Sequence, residues 1–311
     1  MSVGAAGVKS LPLSATLTSP IRVRQRRPPL VQAVMILRPI GAISALIIIT
    51  LVVVAVFAGV LSPRDPTHQV IRESLQEPLT ISGDGTIYFV GTDAQGRDVL
   101  SRLFHGARIS LAVGVAAVAI GTLGGLVLGI LSGYRGGKID LVAQRVMDAL
   151  QAIPTLILAM MLVAVLGTDL RITALAIGVT QIPRANRIIR GNVLSIAQEL
   201  YVEAARTIGA SEIRIMARHI LPNVMATTLI VFSTSIGAAI VTEATLSFLG
   251  LAAPPPLATW GGMLTIQGRQ YMLAAPWLLI APAVALSVTV LAFNFLGDAI
   301  RDVLDPRLRL R

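Results

Sequence analysis

The chain has no cysteine, which excludes disulfides and thiolate-bound metals. Its three histidines, His68, His105 and His219, lie too far apart in sequence for metal-ligand spacing. Charge is also scarce, at 14% of 311 residues, against about 25% in a soluble domain. Aromatic residues make up only 4%. What remains is apolar: 54% hydrophobic residues and a mean hydropathy of +0.77. Such a chain needs a nonaqueous solvent, because its long uncharged runs match a bilayer core better than a soluble interior.

Those runs define an all-α membrane protein with about six transmembrane helices. A core about 30 Å thick takes roughly 20 helical residues. Ile40–Leu61, Ile109–Tyr134 and Ala149–Thr168 are uncharged. Ile172–Pro183 is shorter and runs into Arg184, with a helix expected to continue to about Arg190. Ile220–Thr242 is uncharged and resumes after Glu243 to about Leu251; Ala274–Leu296 is the last run.

The net charge of +10 is distributed unevenly. Residues 1–38 hold six basic and no acidic residues, which places the N-terminus in the cytoplasm by the positive-inside rule. With six spans the C-terminus is cytoplasmic too. Inner segments then carry 19 basic and 8 acidic residues, and outer segments 7 of each. This layout suits an anionic membrane face and excludes a nucleic-acid binder. A cleaved signal peptide fits poorly, since the basic leader is long and no A-x-A site follows the first span. Residues 1–30, rich in Pro, Ser and Arg, are expected to be disordered.

Within the spans, Gly121, Gly125, Gly129 and Gly133 recur every fourth residue and form a smooth stripe that admits another helix, expected to be one of the chain's own. Pro154, Pro276 and Pro282 are potential kinks. Glu243 is the isolated intramembrane carboxylate, costing about 2.5–3.5 kcal/mol at the bilayer centre. It is a candidate for the substrate pathway or for a helix-end contact. In the segment before the second span, Thr92 and Gln95 have capping-box spacing. They predict an amphipathic helix lying on the membrane, with Val99, Leu100, Leu103 and Phe104 on one face.

The longest inner loop runs from about Arg184 to Pro222. Tyr201–Ile208 reads as a short helix, Gly209 as a turn, and Ser211 as the N-cap of a second short helix to about Arg218. Pro222 suits the first turn of the next span. The result is a helix–turn–helix outside the membrane that presents Ala and Ile between charges, a surface fit for a groove on a partner.

This loop resembles the EAA loop of ABC importer permeases. Glu203, Ala204, Ala205, Gly209, Leu221 and Pro222 stand at the motif's spacings. His219 departs from the usual aliphatic residue, as in the dipeptide/oligopeptide (DppC/OppC-like) branch. Gly91-Thr92-Asp93-x-x-Gly96-Arg97-Asp98, Glu243-Ala244-x-Leu246-Ser247-Phe248-Leu249-Gly250-Leu251, Trp260-Gly261 and Asp305-Pro306-Arg307 are similar to that branch in the same order.

The resemblance implies a type I ABC importer permease fold with an extra N-terminal helix. It divides the chain into a leader (1–38), a first helix (39–62), an outer loop (63–108), a core of five helices (109–298, coupling loop about 199–222) and a tail (299–311). The implied partners are a second, homologous permease (DppB/OppB-like), two cytoplasmic ATPase subunits, an outside solute-binding protein and the lipid of a bacterial plasma membrane. ATP and Mg would be bound by the ATPases, so this chain is expected to be non-catalytic and to hold no cofactor or metal. Gly136-Gly137-Lys138 is no phosphate loop, with Ser132 and Ile139 where Gly and Ser/Thr belong. The expected cargo is a di- or oligopeptide. Nickel chelates or glutathione are alternatives, and an ion-coupled secondary transporter is the reading from another class.

Overall fold

The computed structural model describes residues 39–252, 254, 256–265 and 270–304. The predicted leader and the Asp305-Pro306-Arg307 motif lie outside the described residues. α1 (Pro39–Val56) and its one-turn extension α2 (Ala58–Leu61) form the first span, which is largely exposed on its flanks as a lipid-facing helix would be. α3 (Val99–Arg135) is the central post, 37 residues and about 55 Å long. α4 (Gly137–Ala152), α5 (Thr155–Leu166) and α6 (Leu170–Ile196) follow. α7 (Leu200–Thr207) and α8 (Glu212–Ile215) lead through a π-helical turn (Met216–Ile220) into α9 (Leu221–Phe248). α10 (Trp260–Met263) and α11 (Trp277–Leu304) complete the described helices.

The glycine stripe explains the tightest packing. A Cβ on Gly125 would lie 2.7 Å from the Asn186 backbone nitrogen, and one on Gly133 2.9 Å from Val193 Cγ1. The α6 backbone therefore sits directly on α3, within this chain as expected. Gly178 on α6 returns the arrangement by accepting Ile120 of α3, whose Cβ lies 2.7 Å from where a glycine Cβ would be.

Four described helices are long and apolar enough to cross a membrane: α1, α3, the run Glu212–Phe248 and α11. The expected span Ala149–Thr168 is not one rod. It is the end of α4 and all of α5, joined at a 93° bend. Pro154 causes the break, because its ring disfavours helical geometry at Ile153, which is extended (φ −94°, ψ 129°). The expected fourth span is one helix, α6, running through Pro183 to Ile196. Its C-terminal half is polar, and Arg190 forks onto Asp140 of α4 at 2.6 and 2.5 Å.

Residues 62–98 form a small cap at the start of α3. A two-stranded antiparallel ladder, β1 (Thr80–Ile81) and β2 (Ile87–Tyr88), stands beside the Glu73 carboxylate. That group accepts from the Ser82 hydroxyl (2.7 Å), the Gly83 N–H (2.9 Å) and the Tyr88 hydroxyl. Asp93 accepts from Arg97 at 2.7 Å and lies 3.6 Å from Arg102, all three side chains being buried. Two expectations fail here. The N-cap is Asp98, whose carboxylate accepts from the Ser101 N–H (2.8 Å), not Thr92. Thr92 is occupied elsewhere, donating to the Glu73 carbonyl and accepting from the Gln76 N–H. The amphipathic segment from Val99 is also not a separate surface helix, because it continues unbroken into the span.

Candidate functional site

At the opposite end from the cap, residues 200–220 fold over the ends of α3 and α6. The apolar spacing decides how they lie. Val202 and Ala205 of α7, Ile215 and Met216, and Ile220 turn inward onto Leu126, Ile130, Ile189 and Val193. Burial of that face holds the loop against the bundle by the hydrophobic effect. Arg206 stacks over the Tyr134 ring at 4.9 Å, and Arg135 pairs with Glu212 at 2.9 Å, adding weaker surface ties.

Gly209 ends α7 in a Schellman motif. Its N–H donates to the Arg206 carbonyl (3.0 Å) and the Ala210 N–H to the Ala205 carbonyl (3.1 Å), with Gly209 at φ +81°. A Cβ at this position would meet no atom within 4 Å, so the backbone conformation alone demands glycine.

The six residues singled out from sequence separate by orientation. Glu203 and Ala204 are exposed, whereas Ala205 is buried and Leu221 packs against the apolar cluster. Pro222 is exposed in the first turn of α9. The second short helix is not a separate element. Ser211 occupies its N-cap position without a side-chain hydrogen bond, and α8 passes through the π turn directly into α9.

The loop presents Ile208 (84% exposed) and Ile213 (71%) between charges as expected, and adds Leu200, which the sequence reading did not name. The spacing is consistent with this, since Leu200 precedes the inward Val202 and Ala205, and Ile208 and Ile213 fall between Ala205 and Ile215. Glu199, Glu203, Arg206 and Arg214 flank them, so the exposed face is apolar with a charged rim.

Glu243 lies near the cap end of α9 and is fully enclosed. Its Oε1 accepts from the Ser247 hydroxyl at 2.7 Å, while Oε2 has no protein partner among the described residues. The segment after α9 closes over this region: Gly261 sits on the Ala244 backbone, and the Trp260 indole N–H donates to the Leu103 carbonyl at 3.1 Å. Among the described residues, no group of three or more His, Asp or Glu side chains is arranged to hold a metal ion.

Long apolar helices with an amphipathic hairpin folded over one end define a multi-span membrane protein with an unpartnered apolar surface at that end. Residues 125–310 match the family described as "Binding-protein-dependent transport system inner membrane component". The chain is 40% identical over 270 residues to the glutathione transport system permease protein GsiD of Pectobacterium atrosepticum, covering 87% of this chain and 88% of that one. It is 42% identical over 266 residues to the GsiD protein of Escherichia coli O1:K1, covering 86% of each. Among solved structures, the inward-facing MetNI methionine ABC transporter aligns with a TM-score of 0.53 at 20% identity, over 66% of this chain and 96% of that one, a likeness of fold. This chain belongs to the binding-protein-dependent inner membrane component family and is a permease of an ABC importer.

Proposed function

We propose that this chain carries glutathione, or a closely related small peptide, across a bacterial plasma membrane, as one of two permeases driven by ATPases in trans. The observation that carries the cargo assignment is the similarity to glutathione permeases over nearly the whole chain. It favours the glutathione alternative over the di- and oligopeptide expectation. The cap would face outward toward a solute-binding protein, and both termini would be cytoplasmic, in keeping with the charge count.

The coupling step is read from the loop. Residues 200–215 place Leu200, Ile208 and Ile213 in an exposed row with a charged rim, a surface suited to a groove on an ATPase. The inward row, Val202, Ala205 and Ile215, packs on α3 and α6. Force on the outer row would therefore reach the spans through close-packed side chains rather than through a flexible tether. ATP and Mg would be held by the ATPases, and this chain would supply the lever and part of the path. Glu203 sits on the exposed side, where a cationic partner group would meet it.

Two measurements test this. Cells expressing the importer should accumulate radiolabelled glutathione in preference to a labelled dipeptide; accumulation of the dipeptide alone would overturn the cargo assignment. Glu203→Lys should reduce co-purification of the ATPases with this chain while leaving its amount in the membrane unchanged. Full co-purification would remove Glu203 from the docking surface.

A further inference from the structure

A cavity of about 490 Å³ opens where α3, α6 and α9 meet the bend between α4 and α5. Its volume falls within the range of small-molecule sites, about 300–1,000 Å³. Its inner wall lies deep in the bundle, with Thr122 about 20 Å along α3 from the loop end and Ser235 about 21 Å along α9 from its start, while Gln151 and Arg184 on the outer side are exposed. Among the described residues, no Asp or Glu lines the cavity.

Five of the polar side chains around this cavity lack partners among the described residues, whereas the Thr180 and Thr242 hydroxyls donate to their own helix carbonyls. Thr122 (4% exposed) and Ser235 (5%) line it, and their hydroxyls make no hydrogen bond among the described residues. The Gln151 and Gln181 amides are likewise unpaired. Arg184 reaches the cavity with no ion pair or hydrogen bond from its guanidinium among the described residues. The neighbouring Arg187, by contrast, is paired to Asp148 at 3.2 Å. Arg184 stands on the exposed side of the cavity, where water and a solute's counter-charge can both reach its guanidinium. α5 begins at the same wall with Thr155, and no side chain caps it, so its first N–H groups add positive potential.

We propose that this cavity is a station for a carboxylate of the transported solute, with Arg184 as the counter-charge and the Gln151 and Gln181 amides, with the Thr122 and Ser235 hydroxyls, as neutral hydrogen-bonding partners. It rests on the importer reading above and adds to it a residue that favours anionic cargo. Glu243 plays no part, being enclosed on the other face of α9, while its neighbour Thr242 lines the cavity.

The absence of native cysteine makes the test direct. In the assembled importer, Ser235→Cys is reacted with a sulfonate-bearing or a trimethylammonium-bearing methanethiosulfonate, and the mass shift of this chain is followed. The sulfonate should react about ten-fold faster than the cation, S-methylglutathione should slow it, and Arg184→Gln should abolish the preference while Arg184→Lys keeps it. Thr122→Cys gives the same reading from the opposite wall.

A preference absent from the start, or one unchanged by Arg184→Gln, overturns the proposal. So does loss of the second permease from the complex in Arg184→Gln, which would make Arg184 an intersubunit ion pair. Glutathione uptake separates the two readings. A preference that depends on Arg184 in an importer that does not accumulate glutathione sinks the cargo assignment and leaves the anion station standing. Normal glutathione uptake with normal KM in Arg184→Gln, together with no reagent preference in the importer that retains Arg184, does the reverse.

Discussion

At the cap end, Arg97 and Arg102 bury their guanidiniums around the Asp93 carboxylate, and Glu73 gathers donors from Ser82, Gly83 and Tyr88. At the loop end, Ile208 and Ile213 stand in solvent, and the ion pair Arg135–Glu212 is half exposed. The cap meets most of its polar requirements within its own chain, Arg64 Nε and Asp98 Oδ1 being buried without a partner among the described residues. The loop meets only half of its apolar ones, by turning Val202, Ala205 and Ile215 inward. Two segments at opposite ends thus carry different obligations: one stabilises a fold, and the other holds a surface for something else to cover.

The largest effect that would break this contrast is at Asp93. Asp93→Ala leaves two buried guanidiniums without their carboxylate and should cost the cap about 3–5 kcal/mol. Hydrogen exchange should show residues 71–98 losing protection while α6 and α9 keep theirs. Unchanged protection would mean that the ion cluster is not what holds the cap.

A smaller effect is expected at Gly209, where a β-branched residue at φ +81° costs about 1–2 kcal/mol. Gly209→Val should leave the amount of protein in the membrane unchanged but lower uptake relative to ATP hydrolysis. Full uptake would show that the turn's geometry is not needed for coupling.

At Ile213 the fold should hardly respond. Ile213→Ser is expected to shift stability by less than about 0.5 kcal/mol yet to weaken ATPase co-purification. A large loss of stability would instead place Ile213 in the chain's own packing.

Acid should distinguish the two ends most gently. The Gly83 N–H and the Tyr88 and Ser82 hydroxyls hold the Glu73 carboxyl below its ordinary range, and Thr86 holds Asp84 at about 2. Because both folded values are depressed, their stabilisation is complete above the ordinary carboxylate range and is lost as pH falls through the folded values. Cap protection should be flat from pH 8 to about 5 and decline from about 4 toward 2. A decline beginning near neutrality would point to a different group.

Much of this was legible in the sequence, for identifiable reasons. Uncharged runs located the four described helices long enough and apolar enough to cross a membrane, because a bilayer leaves little alternative. The four-residue glycine period located the face of α3 that another helix of the chain approaches, because only hydrogen in place of Cβ permits it, but not that α6 is that helix. Gly209 followed from the turn it makes. The bend at Pro154 is hidden by the uncharged run around it, which outweighs the restriction proline places on its predecessor. The capping box failed because Thr92 had a better use, bridging Glu73 and Gln76, and no local pattern announces such a long-range bond. The cavity depends on how α3, α6 and α9 converge on that bend, and spacing along one helix says nothing of it.

The π turn at Met216–Ile220, closed by the Leu221 N–H on the Met216 carbonyl, has a consequence at the far end of α9. An i→i+5 turn takes up about one residue more than an α turn, or about 100° of helical phase. It therefore works as an angular offset: Ile215 and Met216 on one side of it and Ile220 and Val224 on the other all meet the same cluster. Rewound at α pitch, the same residues would rotate everything beyond them by about a quarter turn. Glu243 would then swing out of its enclosed seat, and Ser235 would leave the wall it shares with Arg184. The azimuth of side chains deep in the membrane is thus set at the solvent-facing start of the helix.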